Sequence, residues 1–391
     1  MPNDYYFNEK ILGLQDAEIR NVENSEKILK ITIRLKRKKQ KCPCCGQYTD
    51  KIHDYRKQEV KDSPTFGSKT VIIYEKRRYV CSCGKRFAEK NNFLPRYHRM
   101  TVRLIFYVLE KLKSPVSYTS VSKETNLSTS TIIRIFNTVG ITTKNIPEII
   151  AIDEFKGDTG GEKYNCIITD PVKHTVVDIL PSRHFSYLST YFSKVENRND
   201  VKLFISDMWK PYADIASAYF KNAKPIIDKY HWIRQVFWAF ERVRKDIQKS
   251  FQKDYRIYFK HSRSLLTKRY EYLNDTQKQQ VSVMLSVSPT LYSAHYLKEK
   301  FLKIRDCKDR DMAKIMLSEW IDDAKDSNII PFVKCANTMF NWFTGILNSF
   351  DTKYTNGFTE GCNNKIKVLK RNAYGYRNFE RFRKRILYMF S

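Results

Sequence analysis

The sequence predicts an α/β protein with a large helical insertion, preceded by two small N-terminal domains. Between residues 149 and about 250, short apolar stretches alternate with amphipathic helical patterns, which is typical of an α/β domain. From about residue 250 to 350 the pattern is helical and polar, without clusters of β-branched residues. The first 95 residues combine strand-like alternation with clustered cysteines, and residues 96 to about 145 are helical in pattern.

Composition limits the classes of function. Lys and Arg number 71 against 42 Asp and Glu, which gives a formal net charge of +29. Such an excess favours a polyanionic partner, because each neutralised phosphate releases condensed counterions. A basic surface that serves solubility or binds anionic membranes is the alternative. No apolar run is long enough for a transmembrane helix and no secretory signal is evident, so we expect a cytoplasmic protein.

The N-terminal region carries most of the cysteines. Five of the nine lie between positions 42 and 83, and clustering of this kind indicates metal rather than disulfides in a cytosolic chain. Cys42 and Cys45 form a C-x-x-C pair, Cys81 and Cys83 form a C-x-C pair, and a glycine follows each pair. Two such turns separated by a β-rich stretch suit a tetrahedral Zn²⁺. We therefore predict that these four cysteines bind a structural zinc ion.

The exact ligand set stays open at this point. Cys44 lies inside the first pair and could replace one of its neighbours. His53 and His98 could each substitute for a cysteine, and the shorter C-x-C spacing weakens the argument. A set of incidental thiols is the alternative to a zinc site.

The next region has the pattern of a helix-turn-helix. We expect a short helix over about 119–125, a turn at Asn126 and Leu127, and a helix capped by Ser128 that runs to about Val139. The apolar residues that would form the inner face are Val121, Leu127, Ile132, Ile135 and Phe136. The outward positions, which would contact DNA phosphates and base edges, are Ser130, Thr131 and Arg134. Helical pairs are also common in proteins that do not bind DNA.

The α/β region predicts a ribonuclease H-like arrangement. An apolar strand ends at Asp153, strands follow at about 163–169 and 174–180, a helix spans about 185–196, and another strand ends at Asp207. In a fold of this order the first and fourth strands are neighbours. The two carboxylates would then meet, as two-metal phosphoryl chemistry with Mg²⁺ requires. The alternative is that these aspartates only cap turns.

A third acid lies in a basic helical segment near the end of the chain. If a helix starts near Phe358, one face carries Glu360, Asn364, Lys367 and Arg371. The opposite face, which could pack on the sheet, carries Phe358, Cys362, Ile366 and Leu369. The stretch from Arg377 to Arg385, including Arg381, is a further candidate for phosphate contacts. A purely solvated basic face is the alternative.

These blocks together resemble a known family. AIDEF with Asp153, ISDMWKPYADIA with Asp207, and TNGFTEGCNNKIKVLKRNAYGYRNFERFRKRI with Glu360 resemble the catalytic blocks of the ISL-three (ISL3) family of insertion-sequence transposases. CPCCG and CSCGKRF match the zinc ribbon of that family, and residues 117–139 match its helix-turn-helix. The resemblance implies a ribonuclease H-like core whose Asp-Asp-Glu triad binds Mg²⁺ or Mn²⁺. It also implies a helical insertion in the roughly 150 residues between Asp207 and Glu360.

The function implied is that of a DNA transposase, and the resemblance also implies a bacterial, nucleoid-associated protein. Such an enzyme binds the terminal inverted repeats of its element and catalyses strand cleavage and strand transfer on double-stranded DNA, and we expect a homodimer on paired ends. A DNA-binding regulator derived from a transposase and a ribonuclease H-like nuclease are the alternatives. The domains we expect are a zinc ribbon, a helix-turn-helix, the first part of the core, a helical insertion and the last part of the core, over residues 1–95, 96–145, 146–250, 251–350 and 351–391.

Asp228 and His231 form a second-rank candidate at D-x-x-H spacing. Similar pairs occur beside the active site in several transposases that carry insertions, so His231 could contact the scissile phosphate and Asp228 could steady the site. The alternative is a histidine at the start of an amphipathic helix whose apolar side chains form a core.

Overall fold

The computed structural model describes residue 14 and residues 16–25, 27–141, 145–259 and 262–391. The remaining positions of the predicted domains, residues 1–13, 15, 26, 142–144, 260 and 261, lie outside the described residues. The chain divides into two compact units. The N-terminal unit comprises Met1–Thr142, Val368–Gly375 and Tyr388–Phe390, and the core unit comprises Thr143–Lys367, Tyr376–Leu387 and Ser391.

The N-terminal unit begins with strands. They are β1 Ala17–Ser25, β2 Ile28–Leu35, β3 Gln40–Lys41, β4 Tyr48–Thr49, β5 Ile52–Thr65, β6 Ser68–Val80 and β7 Arg86–Ala88. One sheet has the order β1-β2-β6-β5, with β7 paired to β6, while β3 and β4 form a separate small hairpin. The strand-like alternation predicted within the first 95 residues is confirmed in β2 and β6, because Ile31, Ile33, Ile72 and Tyr74 all point into one apolar core.

Three helices follow, α1 Val102–Lys111, α2 Tyr118–Thr125 and α3 Thr129–Asn137. Each begins at a hydroxyl cap, and the Ser128 side chain accepts a hydrogen bond from the Thr131 amide as the sequence predicts. Asn126 adopts a left-handed conformation at the end of α2, with φ of 57°, which makes the turn between α2 and α3. The predicted inner face is buried, at Val121, Leu127, Ile132, Ile135 and Phe136.

The core unit contains a mixed five-stranded sheet. Its strands are β8 Ile149–Thr159, β9 Glu162–Asp170, β10 Thr175–Leu180, β11 Leu203–Ser206 and β12 Lys224–Ile227. The order is β10-β9-β8-β11-β12, and the first three strands are antiparallel neighbours. β11 pairs in parallel with both β8 and β12, so the predicted neighbours of the ribonuclease H-like order are confirmed.

Two helices of the core unit, α4 Phe185–Phe192 and α5 Lys210–Tyr219, pack with the sheet through Leu188, Phe192 and Tyr212. The prediction that the first of these helices reaches residue 196 is wrong. The chain is extended at Val195, with ψ of 113°, which breaks the helix before a short 3₁₀ segment. Leu188 and Phe192 are fully buried, so they fix α4 in place.

The region after the sheet is a helical bundle. Its helices are α6 Lys229–Ser250, α7 Lys253–Tyr258, α8 Ser262–Thr267, α9 Asp275–Ser286, α10 Pro289–Asp306, α11 Arg310–Asp326, α12 Ile330–Asn341 and α13 Phe343–Asn348. Aromatic rings fill its centre, where the ring centroids of Phe301 and Trp320 lie 4.8 Å apart and those of Phe301 and Trp232 lie 5.5 Å apart. Among the described residues, no helix combines the length and the apolar character that a membrane crossing needs.

The bundle returns the chain to the sheet. α13 lies against β12 so closely that a β-carbon at Gly345 would stand 2.7 Å from the Ile227 side chain. The last helices are α14 Gly357–Asn372 and α15 Phe379–Met389. Gly375, with φ of 97°, donates to the Lys370 carbonyl at 2.9 Å and ends α14, so the basic C-terminal region is two helices rather than one.

Candidate active site

The parallel pairing of β8 with β11 brings the first two predicted acids together. Ala151 lies opposite Ile205 in this ladder, and Asp153 and Asp207 each lie two residues further along. One carboxylate oxygen from each of Asp153, Glu154 and Asp207 lies within 4.8 Å of the other two. The sheet register therefore creates a cluster of three acids at the end of β11.

Burial makes this cluster electrostatically unfavourable without a cation. Burial, followed by the charge of Asp207, raises the pKa of Asp153 to about 8, and the same two causes raise the pKa of Glu154. The Oδ1 atom of Asp207 is buried and has no hydrogen-bond partner among the described residues. Hard carboxylate oxygens that are crowded and incompletely bonded fit a divalent cation such as Mg²⁺.

His231 lies between Glu360, the third predicted acid, and the cluster. The Nδ1 atom of His231 lies 2.8 Å from Oδ2 of Asp207, and its Nε2 atom lies 3.9 Å from Oε1 of Glu360. Glu360 keeps 41% of its side chain exposed, and burial followed by the charge of Asp228 raises its pKa. Glu360 thus faces the same site but is not within the tight group formed by Asp153, Glu154 and Asp207.

Helix α14 is fastened to the sheet by polar contacts. The hydroxyls of Thr359 and Thr169 lie 2.7 Å apart, and both side chains are buried. The Asn363 side chain donates to Oδ2 of Asp153 at 2.8 Å. These contacts lie on either side of Glu360 in the helix and fix the direction in which its carboxylate points.

The second-rank pair has two distinct roles in the geometry. Asp228 caps α6 by accepting from the Tyr230 amide at 3.1 Å, and its other oxygen accepts from the Asn356 amide at 2.9 Å. Both oxygens therefore tie the start of α6 to the residue that precedes α14. His231 instead faces the acids; burial alone would lower its pKa, but the hydrogen bond and charge of Asp207 raise it.

Sequence reasoning missed four polar residues at this site. One is Glu154, which follows Asp153 in the chain and joins it in the cluster. Asn363 contacts Asp153, Arg183 donates to Glu154 at 2.7 Å, and a guanidinium nitrogen of Arg234 lies 3.0 Å from Nδ1 of His231. The spacing of Asn363, three residues after Glu360, could have identified it, because positions i and i+3 are neighbours on a helix. No sequence signal connects Arg183 with Glu154.

The residues predicted to contact DNA are mostly at the surface. Those that are exposed are Ser130, Arg134, Asn364, Lys367, Arg371 and Arg377, and those that are partly buried are Thr131 and Arg381. The opposite face of α14 is buried at Cys362, Ile366 and Leu369, as its spacing predicts. Phe358 is partly buried and its ring stacks on His174, with centroids 5.2 Å apart.

The cysteines of the N-terminal unit form a second candidate metal centre. The Sγ atoms of Cys42 and Cys83 lie 3.7 Å apart, those of Cys45 and Cys81 lie 3.5 Å apart, and all four lie within 4.8 Å of one another. Four thiolates around Zn²⁺ at about 2.3 Å would be separated by roughly 3.8 Å, so the cluster fits zinc. Cys44 lies outside this group.

Backbone geometry around the cysteines matches a zinc knuckle. Gly46 and Gly84 have φ of 76° and 81°, and their amides donate to the carbonyls of Cys42 and Cys81 at 3.1 Å and 2.9 Å. The backbone amide of Cys83 is the main cause that lowers the pKa of Cys81 to about 6. Amide donors that stabilise a thiolate in this way favour metal binding.

Comparison with known proteins agrees with this geometry. Residues 150–386 match a family model described as a transposase of the ISL3 type. Residues 38–83 match the zinc-finger of transposases IS204, IS1001, IS1096 and IS1165, and residues 89–140 match the helix-turn-helix domain of transposase family ISL3.

Individual relatives point the same way. The transposase for insertion sequence element IS1001 of Bordetella parapertussis is 26% identical over 96% of this chain and 95% of its own length. The transposase for IS1557 of Mycobacterium tuberculosis is 30% identical over 30% of this chain and 27% of its own length. A Lactococcus lactis protein named as an ATP-dependent protease is 33% identical over 29% of this chain and 34% of its own length. The family match covers more than half of the chain, and the chain belongs to the ISL3 family of transposases.

Proposed function

We propose that this transposase binds the terminal inverted repeats of its insertion sequence and catalyses metal-dependent cleavage and strand transfer at them. The observation that carries the proposal is the pairing of Asp153, which is buried, with Asp207, which is half-buried and is linked by His231 to Glu360. Three acids from separate parts of the chain face one site in a chain whose family is that of transposases.

Asp153, Asp207 and Glu360 would hold the divalent cations, with Glu154 beside them. The incompletely bonded oxygen of Asp207 and the crowding of the carboxylates support this role. When bound, Mg²⁺ or Mn²⁺ would activate a water or a 3′-hydroxyl and offset negative charge on the attacking and leaving oxygens.

The chain's own residues orient this chemistry. Asn363 holds one oxygen of Asp153, and His231 holds one oxygen of Asp207, so the ligand oxygens have fixed directions before DNA arrives. Asp228 fixes the start of α6 and thereby the position of His231. Arg234, close to His231, supplies a positive charge beside the expected position of the scissile phosphate.

Both units offer groups for DNA. Ser130, Thr131 and Arg134 on α3 would read base edges and phosphates in the major groove. The basic residues of the last two helices would contact the backbone, and they are Lys367, Arg371, Arg377 and Arg381, with Asn364 beside them. Cleavage of both ends of an element requires that they be paired, which is why we propose a homodimer on DNA.

The test is cleavage of a labelled element-end duplex in Mg²⁺ by the wild type and by Asp153→Asn. Loss of one ligand charge should lower the rate by roughly 10²–10³-fold or more, whereas affinity for the duplex should stay within about twofold. Asp311→Asn, at an exposed position of α11, is the matched control. A wild type that binds the ends without cutting or joining them would make this chain a DNA-binding regulator instead.

A further inference from the structure

The exposed face of α6 next to the acids carries two large aromatic side chains. Tyr230 and Trp238 are 56% and 54% exposed, and Arg234 lies midway between them in the helix. The guanidinium carbon of Arg234 is 5.2 Å from the centroid of the Tyr230 ring and 4.5 Å from that of the Trp238 ring. Spacings of four residues place all three side chains on one face, so they form a continuous strip about 12 Å long.

Trp238 does not pack in the core of the bundle, so the core does not explain why this large aromatic residue is present. Its helix neighbours Val236, Ala239 and Phe240 are buried in that core, whereas Trp238 points away from it. Trp238 is the single exposed tryptophan in the described part of the chain. A large aromatic group left in water beside a catalytic cleft is typical of a binding surface.

The strip borders a cavity and leads to the acids. The cavity has a volume of about 410 Å³ and is lined by the strip together with Phe237 and Arg263. Glu241 also lines it, but its carboxylate is bound by Arg244 at 2.8 Å, so the free charge of the cavity is positive. At the other end, Arg234 contacts His231, which is bonded to Asp207.

We propose that the strip of Tyr230, Arg234 and Trp238 binds unstacked nucleobases of the DNA strand that flanks the scissile phosphodiester. Aromatic faces stack on any base, and an arginine between them adds a cation for the phosphate or the base. This inference rests on the proposed function for the identity of the DNA strand. Beyond that function, bases near the cut leave the duplex and stack on the strip of α6.

The test compares two single-stranded probes that carry the same phosphates. Full-length protein is titrated with a fluorescent (dT)12 oligonucleotide and with an abasic oligonucleotide of the same length. We expect the wild type to prefer the probe with bases, and Trp238→Ala to reduce that preference by about 5- to 100-fold. Trp238→Phe should retain most of this preference. Phe340→Ala should not change it, although Phe340 is an even more exposed aromatic residue of α12 with Lys325 near its ring.

Photocrosslinking locates the contact. An oligonucleotide that contains 5-iododeoxyuridine should crosslink to peptides containing Tyr230 or Trp238 in the wild type, and the yield at Trp238 should vanish in Trp238→Ala. An unchanged base preference in Trp238→Ala, or crosslinks confined to other regions, would overturn the proposal. A wild-type dimer in sedimentation that Trp238→Ala dissociates would also overturn it, because the strip would then be a protein interface.

These measurements need no catalysis. They are made in Ca²⁺ and repeated with Asp153→Asn, so a failure to cleave element ends leaves the base preference measurable. Failure of the proposed function appears as intact DNA with a wild-type base preference. Failure of the present inference appears as normal cleavage with no such preference.

Discussion

At the scale of single residues, the geometry of the site depends on polar side chains that fix the positions of the acids. Asp153 is buried and its pKa is raised, so a hydrogen-bond donor helps to hold its carboxylate in position. Asn363 supplies the donor from α14, more than two hundred residues later in the chain. The same amide also lies 3.3 Å from the carbonyl of Glu154, which limits its rotation.

Replacement of Asn363 by alanine should slow cleavage without weakening DNA binding. Loss of a donor to a metal-ligating carboxylate typically costs about 10- to 100-fold in activity or metal affinity. The measurement is the single-turnover cleavage rate at saturating duplex, together with the duplex Kd. Asn364→Ala is the matched control, because this neighbouring amide is exposed and is predicted to contact DNA. It should alter Kd rather than rate, and a wild-type rate in Asn363→Ala would contradict the positioning role.

A buried histidine predicts how stability depends on pH. Burial, followed by the charge of Lys298, lowers the pKa of His295 to about 3 in the folded bundle. The unfolded chain binds a proton near pH 6.5, so the free energy of unfolding falls as pH decreases from about 6.5 towards 3. The loss should be up to about 1.4 kcal/mol per pH unit, or roughly 2 kcal/mol at pH 5.

Urea denaturation at pH 7 and pH 5 measures this loss. His295→Gln keeps an acceptor for the Lys298 ammonium, which lies 3.3 Å from the imidazole, but cannot be protonated. The variant should therefore lose less stability than the wild type between the two pH values. Equal losses in both proteins would show that His295 does not titrate in this range.

Residue-level prediction depended on whether a motif marked the residue. Asp207 directly follows β11, but the prediction that the first strand ends at Asp153 is wrong, because β8 continues to Thr159. The register of β8 and β11 explains why these two acids meet. The sequence did not identify Asn363, because the predicted polar face of α14 runs through Glu360 and Asn364, and Asn363 lies one residue before Asn364 on the side that packs towards Asp153. It could not identify the contact between Arg183 and Glu154, which depends on tertiary packing alone. The roles of the predicted acids and DNA contacts remain predictions.

At the scale of secondary-structure elements, most predictions depended on strong hydrophobic periodicity and on helix-capping residues. Ser128 and the left-handed Asn126 define α3 and the turn before it within a residue or two of the expectation. β12 went unrecognised, since it has only four residues and two of them, Lys224 and Pro225, are exposed. Its assignment depends on pairing with β11, which no local pattern reveals.

The zinc knuckles give a prediction at this scale. Cys42→Ser should lose most of the one zinc equivalent expected per chain and lower the melting temperature of the N-terminal unit, because the cluster then lacks a ligand. Cys44→Ser should retain the metal, since Cys44 lies outside the cluster. Zinc is measured by elemental analysis after dialysis. If Cys44→Ser lost the metal and Cys42→Ser retained it, Cys44 rather than Cys42 would be the zinc ligand.

At the scale of the whole molecule, we expect the net positive charge to dominate the affinity for DNA. With a net charge of +29, the chain should bind duplex DNA with an affinity that falls steeply with salt. Six or more phosphate contacts would give a slope of about −5 or steeper in a plot of log affinity against log salt concentration. Arg134→Ala should make this slope shallower by about 1 if Arg134 contacts a phosphate. Fluorescence anisotropy between 50 and 200 mM salt measures it, and a flat plot would contradict phosphate-dominated binding.

The late position of α14 has a consequence for synthesis of the chain. A ribosome releases the cysteine cluster and the α2–α3 pair first, then every strand of the core sheet, and Glu360 only within the last forty residues. A polypeptide that stops before Gly357 would therefore retain the α2–α3 pair proposed to read base edges, but it would lack one acid and the basic residues of α14 and α15. Such a fragment would compete with intact copies for the same ends, so premature termination would yield an inhibitor rather than a weak enzyme.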